Sequence, residues 1–187
     1  DGRYADVMER ALYNGIISGM QLDGKRFFYV NPLETEPGVS GKLYGHKHVL
    51  PERPGWYTCA CCPPNVVRLL MSLGKYLWSE TEDGVYSHIP AGTEAHFDKM
   101  DVTVESNYPW DGKVTYHVTG KTEEETILGI HIPSWARPGS VQVRINGKVE
   151  NISADVEKGY LILKRVWEKD EVEVVFPMRI RKIYANL

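Results

Sequence analysis

The spacing of apolar residues changes once along this chain of 187 residues, from a helical period to an alternating one. Over residues 4–19, apolar side chains recur every three or four positions, which predicts an amphipathic helix lying against a core. A second helix is predicted over residues 66–79. After Asp83-Gly84 apolar and polar residues alternate, as they do in half-buried strands. The pattern therefore places a domain boundary between residues 83 and 84.

The segment between the two predicted helices contains a hairpin and a long loop. Asp23-Gly24 is a turn dipeptide, and residues 26–30 form an aromatic and β-branched run that predicts a strand. Residues 32–54 are rich in Pro and Gly and have no clear period. We expect them to form a surface loop that contributes to a binding site.

Seven strands are predicted after the boundary. They cover residues 85–89, 102–106, 113–119, 126–132, 141–145, 160–164 and 171–176. Turn dipeptides such as Asp111-Gly112 and Asn146-Gly147 separate them, and short strands in this number predict an antiparallel β-sandwich. Residues 178–187 are strand-like and end without a closing turn, so we expect a truncated sandwich. The predicted fold class is α+β.

The composition is that of an ordinary water-soluble chain. It is 42% hydrophobic and 25% charged, with a net charge of -3. No basic tract could bind a nucleic acid backbone, and no apolar run approaches the ~20 residues that cross a bilayer. Unpaired cysteines are typical of a reducing compartment, so we expect a cytoplasmic protein. The chain lacks an initiating Met and a signal peptide, and we expect it to be a fragment.

All three cysteines lie within four positions, in the run Thr58-Cys59-Ala60-Cys61-Cys62-Pro63-Pro64-Asn65. Adjacent cysteines are poorly placed for a mutual disulfide, which prefers Cα atoms ~5.5 Å apart rather than the ~3.8 Å of chain neighbours. Two prolines favour the first turn of a helix, so the thiols are expected near a helix N-terminus, where the dipole favours a thiolate. We predict that the Cys61 and Cys62 sulfur atoms lie within about 4 Å of each other.

Three soft donors on one turn can hold a thiophilic ion such as zinc. The spacing does not match the Cys-x-x-Cys arrangement of zinc ribbons or redox enzymes, and further ligands would have to come from elsewhere in the fold. The alternative is that these cysteines are inert, small hydrophobic residues.

Several other polar and aromatic residues are given no role in a site. His46 and His48 lie in a polar loop and are expected to be solvated. Trp135 follows a predicted strand and is expected in a sandwich-core or inter-domain contact. Four carboxylates are interpreted as surface charge: Glu9, Glu34, Glu52 and Glu80.

Four sequence blocks follow one another in a characteristic order: YADVMERALYNG at 4–15, FYVNPL at 28–33, CCPPN at 61–65 and IPSWA at 132–136. In this order they resemble the β-L-arabinofuranosidases of glycoside hydrolase family 127, formerly a domain of unknown function. The resemblance spans nearly the whole chain. It implies that residues 1–83 are the end of an (α/α)6 barrel catalytic domain and that residues 84–187 are a β-sandwich. The activity it implies is that of a retaining, exo-acting glycosidase on β-L-arabinofuranosides.

The resemblance also implies a site. Zinc in this family is held by two consecutive cysteines, matched here by Cys61 and Cys62, with a glutamate and a cysteine from an upstream segment. Cys61 is implied as the nucleophile that forms a thioglycosyl intermediate, while Cys62 helps to fix the ion. Tyr29 and Cys59 resemble residues that line the arabinose pocket. The acid/base glutamate and the substrate-binding histidines of the family would precede Asp1, so the chain alone is expected to be inactive.

The expected partners are an L-arabinofuranose-containing oligosaccharide or glycoconjugate, the remainder of the parent polypeptide, and a second copy of the parent in a homodimer. Two other functions remain open. The strand region could be a non-catalytic carbohydrate-binding or structural module, which aromatic residues on an exposed strand face would support. The zinc site could instead be purely structural, with four protein ligands and no open position.

Overall fold

A computed structural model describes residues 1–136, 140–152, 155–182 and 184. The chain divides into two compact units. Asp1–Asp6 with Lys75–Leu187 form one, here called the strand unit, and Val7–Gly74 form the other, called the cysteine unit. Within the described residues, every helix is too short or too polar to cross a bilayer.

Helices occur where the period of 3.6 predicts them, but they differ in type and in bounds. Helix α1 covers Gly2–Arg10, and the chain continues as a π-helical segment over Ala11–Ile16 and a 3-10 turn over Ile17–Gly19. The predicted second helix starts four residues early and is broken. It consists of α2, Cys62–Met71, and α3, Gly74–Leu77. The hydroxyl of Ser72 donates to the carbonyls of Arg68 and Leu69 at the break, which competes with helical continuation.

The predicted strand at residues 26–30 is wrong. One isolated antiparallel bridge joins Met20 to Phe27, and no ladder extends from it over the described residues of this segment. The expected loop over residues 32–54 is confirmed, since it consists of turns and irregular backbone.

The strand unit contains two sheets. Its strands are β1 Trp78–Thr81, β2 Gly84–Ser87, β3 Thr93–His96, β4 Met100–Ser106, β5 Lys113–Gly120, β6 Thr126–His131, β7 Gln142–Ile145, β8 Lys148–Glu150, β9 Val156–Glu157, β10 Tyr160–Arg165 and β11 Lys169–Val175. One sheet has the order β1-β2-β6-β10-β9, and the other has the order β3-β4-β5-β11-β7-β8. All seven predicted strands are present, and the short strands β1, β3, β8 and β9 were missed. The predicted change of pattern at Asp83-Gly84 falls at the turn of the β1–β2 hairpin.

The prediction of a fully antiparallel sandwich is wrong at one pair. Strands β2 and β6 run parallel, with Tyr86 opposite Gly129, while the other pairs in both sheets are antiparallel. The intervening β3, β4 and β5 belong to the other sheet, so β2 and β6 are joined by a long crossover connection and not by a hairpin turn, as a parallel pair requires. Alternation of apolar residues identifies strands but contains no information on strand direction.

Aromatic side chains join the two sheets through their buried faces. The Tyr116 hydroxyl on β5 lies 3.2 Å from the Ser87 hydroxyl on β2, and Trp78 on β1 packs edge-on against the Tyr116 ring. Burial raises the pKa of Tyr116 well above its usual range. Trp135 stacks on Tyr108 and contacts Phe176, which confirms the expected core contact.

Two features of the turns and the surface test smaller predictions. Asn146-Gly147 turns between β7 and β8 with φ of 51° and 77°, as a two-residue hairpin turn requires. Glu80 is not an unpaired surface charge, because its Oε1 accepts the Asp98 amide at 2.9 Å. At the C-terminal end, residues 178–182 are not in strands, and residues 183 and 185–187 of the predicted strand-like segment lie outside the described residues.

Two histidines of the strand unit lie away from solvent: His131 is buried and His88 is half-buried. His131 is 1% exposed, with Nε2 3.5 Å from Asp6 Oδ1. His88 Nδ1 pairs with the Tyr160 hydroxyl at 2.7 Å, and its Nε2 pairs with Ser79 Oγ at 3.0 Å. Burial lowers the pKa of both imidazoles, and at His131 the Asp6 carboxylate partly offsets the effect. The folded strand unit therefore favours the neutral forms of His88 and His131.

We expect the free energy of unfolding to fall as the pH is lowered below about 6.5, the ordinary histidine pKa. The unfolded chain binds protons there that the folded chain, with its depressed histidine pKa values, does not bind. Urea unfolding of His131→Gln should show a smaller loss of stability between neutral and acidic pH than the unsubstituted chain. His46→Gln, in the exposed loop, is the matched control and should retain the full pH dependence. An unchanged slope for His131→Gln would contradict the role of burial.

Candidate functional site

Helix α2 begins within the cysteine run, at Cys62, with Cys61 as its N-cap residue. Pro63 and Pro64 occupy the first turn and have no N–H group. An N-cap side chain normally accepts a hydrogen bond from amides in this turn, which here are missing. No side-chain cap hydrogen bond is formed by Cys61. A cysteine is tolerated at the cap because the prolines remove the donors that Ser or Asp would satisfy.

The two adjacent thiols face the same region. Cys61 Sγ and Cys62 Sγ lie 3.9 Å apart, which confirms the predicted proximity at a helix N-terminus. The Cys62 thiol also donates to the Tyr29 carbonyl at 3.3 Å. Cys59 and Cys61 are exposed, Cys62 is half-buried, and all three cysteines are free.

The environment of Cys62 favours the thiol over the thiolate. Partial burial raises the pKa of the Cys62 thiol, and the hydrogen bond and charge of Cys61 act in the same direction. For Cys62, these effects outweigh the backbone hydrogen bond that acts in the opposite direction, so the pKa lies above its usual value. The prolines have removed amide donors from the first turn, and burial disfavours the charged form.

Tyr57 fixes the segment that carries Tyr29. Its hydroxyl donates to the Phe27 carbonyl at 2.8 Å and accepts the Tyr29 amide at 2.7 Å. The two tyrosine rings are tilted against each other at 5.9 Å. One oxygen atom thus provides the donor and the acceptor that a neighbouring strand would supply, which explains an extended segment without a ladder.

Arg53 anchors the other side of the same region. Its guanidinium donates to the Ser18 and Gly19 carbonyls at 2.6 Å and 3.3 Å, and it lies 4.7 Å above the Phe28 ring. The Arg53 guanidinium thereby joins the 3-10 turn at Ile17–Gly19 to the extended segment at residues 26–30.

A cavity of about 460 Å³ opens between these elements of the cysteine unit. Its polar lining consists of Tyr29, Asn31, Cys62, Asn65 and Arg68, and its other lining residues are Gly15, Ile16, Gly19, Phe27, Phe28, Val66 and Leu69. The structure therefore brings Cys62 and Tyr29 to one cavity, while Cys59 and Cys61 do not line it.

Glu9 is also not the surface charge that the sequence suggests. Its Oε2 is buried. Burial, with a smaller contribution from the Glu9 charge, raises the pKa of Tyr13 to about 12. Neither residue lines the cavity.

The thiol pair fits two corners of a zinc site. Zinc–sulfur bonds of about 2.3 Å in a tetrahedron place two sulfurs about 3.8 Å apart, close to the 3.9 Å found here. Throughout the described ranges, no three His, Cys, Asp or Glu side chains are grouped so that they could hold a metal. His46 and His48 are exposed, as expected. The described chain thus offers a two-sulfur donor set.

Tyr57, Arg53, Asn65 and Arg68 are the contributors to the site that sequence reasoning missed. Their roles depend on contacts between distant positions, such as residues 29 and 57, which spacing alone does not reveal. The one available signal is the spacing of Asn65 and Arg68, which lie three residues apart in the first turns of the helix that begins at Cys62.

We predict that Tyr57→Phe lowers the free energy of unfolding of the cysteine unit by about 1 kcal/mol or more, because two hydrogen bonds are lost while the ring is retained. Amide hydrogen exchange at Tyr29 should accelerate in parallel. Tyr44→Phe is the matched control, since Tyr44 is 97% exposed in the neighbouring loop. Equal stability and exchange in both variants would contradict the bridging role of the hydroxyl.

We also predict that Cys62 is alkylated more slowly than Cys59 in the metal-free chain. The thiolate is the reactive form, and Cys62 is both less exposed and shifted toward the thiol. Peptide mass spectrometry after brief iodoacetamide treatment measures the order of modification. Faster labelling of Cys62 would contradict the geometry of its contact with Tyr29.

Comparisons with known proteins assign the chain to a family. Residues 1–75 match the model of the β-L-arabinofuranosidase GH127 catalytic domain, and residues 84–178 match the model of the GH127 middle domain. A curated relative, the non-reducing end β-L-arabinofuranosidase of Bifidobacterium longum subsp. longum, is 38% identical over 99% of this chain and 29% of its own length.

Solved structures give the same result. A GH127 β-L-arabinofuranosidase from Geobacillus stearothermophilus T6 is 46% identical with a TM-score of 0.87, and the match covers 100% of this chain and 30% of that one. A GH127 β-arabinofuranosidase is 35% identical with a TM-score of 0.75, over 96% of this chain and 29% of that one. The chain thus spans less than a third of the length of these relatives. It belongs to glycoside hydrolase family 127.

Proposed function

We propose that the parent of this chain is a retaining, exo-acting β-L-arabinofuranosidase in which Cys61 is the nucleophile. The observation that carries the proposal is the pair of thiols 3.9 Å apart at the start of α2, beside a cavity that Tyr29 and Cys62 line. The names of the relatives support the substrate class. The cysteine unit would be the end of the (α/α)6 barrel, and its role is that of a catalytic segment.

In the first step, the Cys61 thiolate attacks the anomeric carbon of the arabinofuranose. A carbon–sulfur bond forms as the glycosidic carbon–oxygen bond breaks, and the leaving oxygen takes a proton from a general acid. Water then attacks the same carbon from the side that the leaving group vacated, and it gives a proton to the conjugate base of that general acid. The carbon–sulfur bond breaks, the thiolate is released, and two inversions give net retention.

A general acid must come from another part of the parent. No Asp or Glu side chain is among the residues that line the cavity of the cysteine unit. A carboxylic acid is the usual proton donor in glycoside hydrolysis. We therefore propose that this chain alone has no glycosidase activity, because it contributes the nucleophile without the acid.

Zinc would be held by Cys61 and Cys62 together with ligands from outside the described residues. When bound, the ion keeps the ligating sulfurs deprotonated at neutral pH. This is needed most at Cys62, whose surroundings favour the thiol. Tyr29 and Cys59 would contact the sugar, and the hydrogen bonds of Tyr57 hold the Tyr29 backbone in place for this role.

The alternative function, a carbohydrate-binding sandwich, has less support. Most large aromatic residues of the strand unit point inward, including Trp78, Tyr116 and Trp167. Trp110 is 80% exposed, but it lies in a turn and not on a strand face. An exposed row of rings on a sheet, which sugar binding by the sandwich would need, is absent from the described strands.

In the full-length parent, Cys61→Ser should abolish turnover of an aryl β-L-arabinofuranoside without unfolding the protein. Cys62→Ser should lower the zinc content first and activity through it. A serine hydroxyl retains the shape of the thiol but is a poor nucleophile and a poor zinc ligand, because it ionises far less readily. Activity, bound zinc and thermal unfolding are measured on the same preparations.

Covalent trapping separates catalysis from structure. An arabinofuranose-like electrophile should label Cys61, as found by peptide mass spectrometry, and the Cys61→Ser variant is the control that should remain unlabelled. A label on a carboxylate would refute the nucleophile. If the site were purely structural, both serine variants would lose activity only in proportion to their loss of thermal stability.

A further inference from the structure

We propose that Asn65 and Arg68 are positioning residues for the cysteine pair. Arg68 orients the Asn65 side chain, and Asn65 in turn fixes the peptide group between Cys61 and Cys62. This inference rests on the proposed function, because it concerns the residue taken as the nucleophile.

The hydrogen bonds form a directed chain along the first turns of α2. The Arg68 guanidinium donates twice to Asn65 Oδ1, from Nε at 3.2 Å and from Nη2 at 2.9 Å. Asn65 Nδ2 then donates to the Cys61 carbonyl at 2.8 Å. A guanidinium can only donate, so it fixes which end of the Asn65 amide is the oxygen. The amide nitrogen is thereby directed at Cys61.

The Cys61 carbonyl is bound from two directions. It accepts the backbone amide of Asn65 at 3.1 Å in addition to the side-chain amide. Because a peptide group is planar, holding this carbonyl also holds the amide of Cys62 and both flanking Cα atoms. The orientation of one peptide plane therefore sets the directions from which both sulfur atoms project.

This anchor matters because the helix start is otherwise weakly held. Pro63 and Pro64 contribute no amide hydrogen bonds, and Cys61 forms no side-chain cap. The Asn65 backbone amide is the first in the turn after Cys62 that can bond to the cap carbonyl. The side chains of Asn65 and Arg68 reinforce that bond.

Arg68 also lines the cavity, so direct contact with the sugar is the competing role. The two roles predict different kinetics. If Arg68 acts through Asn65, its replacement lowers kcat and leaves KM unchanged. It lowers kcat no further in a variant that already lacks the Asn65 side chain. A substrate-binding residue raises KM, and its effect adds to that of Asn65.

The experiment is a double-mutant cycle in the full-length parent with zinc bound. Asn65→Ala, Arg68→Ala and the double variant are assayed for kcat and KM, with Arg26→Ala as an arginine control that does not line the cavity. We expect kcat to fall about tenfold or more in each single variant, at unchanged KM, since misplaced reacting groups lose rate steeply. The double variant should fall no further than Asn65→Ala alone.

Conservative variants keep the test decisive if an alanine variant unfolds. Asn65→Asp retains the shape and can still pair with Arg68 but has no amide hydrogen for the Cys61 carbonyl, so it should lose kcat like Asn65→Ala. Arg68→Lys retains the charge but cannot donate the two hydrogen bonds of a guanidinium. Its kcat should lie between those of Arg68→Ala and the unsubstituted protein. Full activity of Asn65→Asp, or additive effects with a raised KM, would overturn the proposal.

Assaying Cys61→Ser in parallel separates this inference from the function on which it rests. If Cys61→Ser remains active, Cys61 is not the nucleophile and the proposed function fails. If Cys61→Ser is inactive while Asn65→Ala and Arg68→Ala are fully active, only the positioning role fails.

Discussion

The absence of amide donors in the first turn of α2 is the constraint on which the cysteine site depends. Pro63 and Pro64, in the first turn, leave the N-cap side chain without the amide donors that usually bind it. Cys61 can then occupy the cap with a thiol that is not used for capping. The stability that a cap normally contributes comes instead from Asn65 and Arg68, one and two turns into the helix.

On the opposite side of the cavity, side chains again form hydrogen bonds that backbone groups usually form. The Tyr57 hydroxyl bonds to residues 27 and 29 as a sheet partner would, and Arg53 supplies donors to residues 18 and 19. Residues 62–69 of one wall belong to α2, whereas the wall formed by residues 27–31 is irregular backbone held by a few long side chains. Such segments have few backbone bonds to lose, so each of these side chains contributes a large share of local order.

The sequence predicted more of the strand unit than of the cysteine unit, for a physical reason. In the strands of a two-layer fold, successive residues face the core and the solvent in turn. Apolar residues such as Val102 and Val104 of β4 show this alternation in the sequence. The pairing of β2 with β6 in parallel depends on connections between sheets, which alternation does not specify. The burial of His131 and the lowered pKa values of His88 and His131 could not be predicted either, because they result from the packing of elements that are distant in the sequence.

For the candidate site, the cysteine run and its helix start were predictable because they are local. The failed strand at residues 26–30 has the composition of a strand but is paired only through the Met20–Phe27 bridge, and composition cannot supply a partner strand. The start of α2 lies before the predicted one because Pro63 and Pro64 are tolerated in a first helical turn, which precedes the periodic apolar residues.

The consecutive placement of Cys61 and Cys62 at a helix start also determines which changes of length the chain can tolerate. Each helical residue turns the chain by about 100°, so a single residue inserted after Cys61 would direct one sulfur away from the other. The loop at residues 32–54 has no such restriction. Its base is closed by the Phe27 amide bonding to the Pro54 carbonyl at 3.2 Å, and the entropy of closing a loop grows only slowly with its length. Insertions and deletions among relatives should therefore accumulate in that loop and be excluded from residues 61–65.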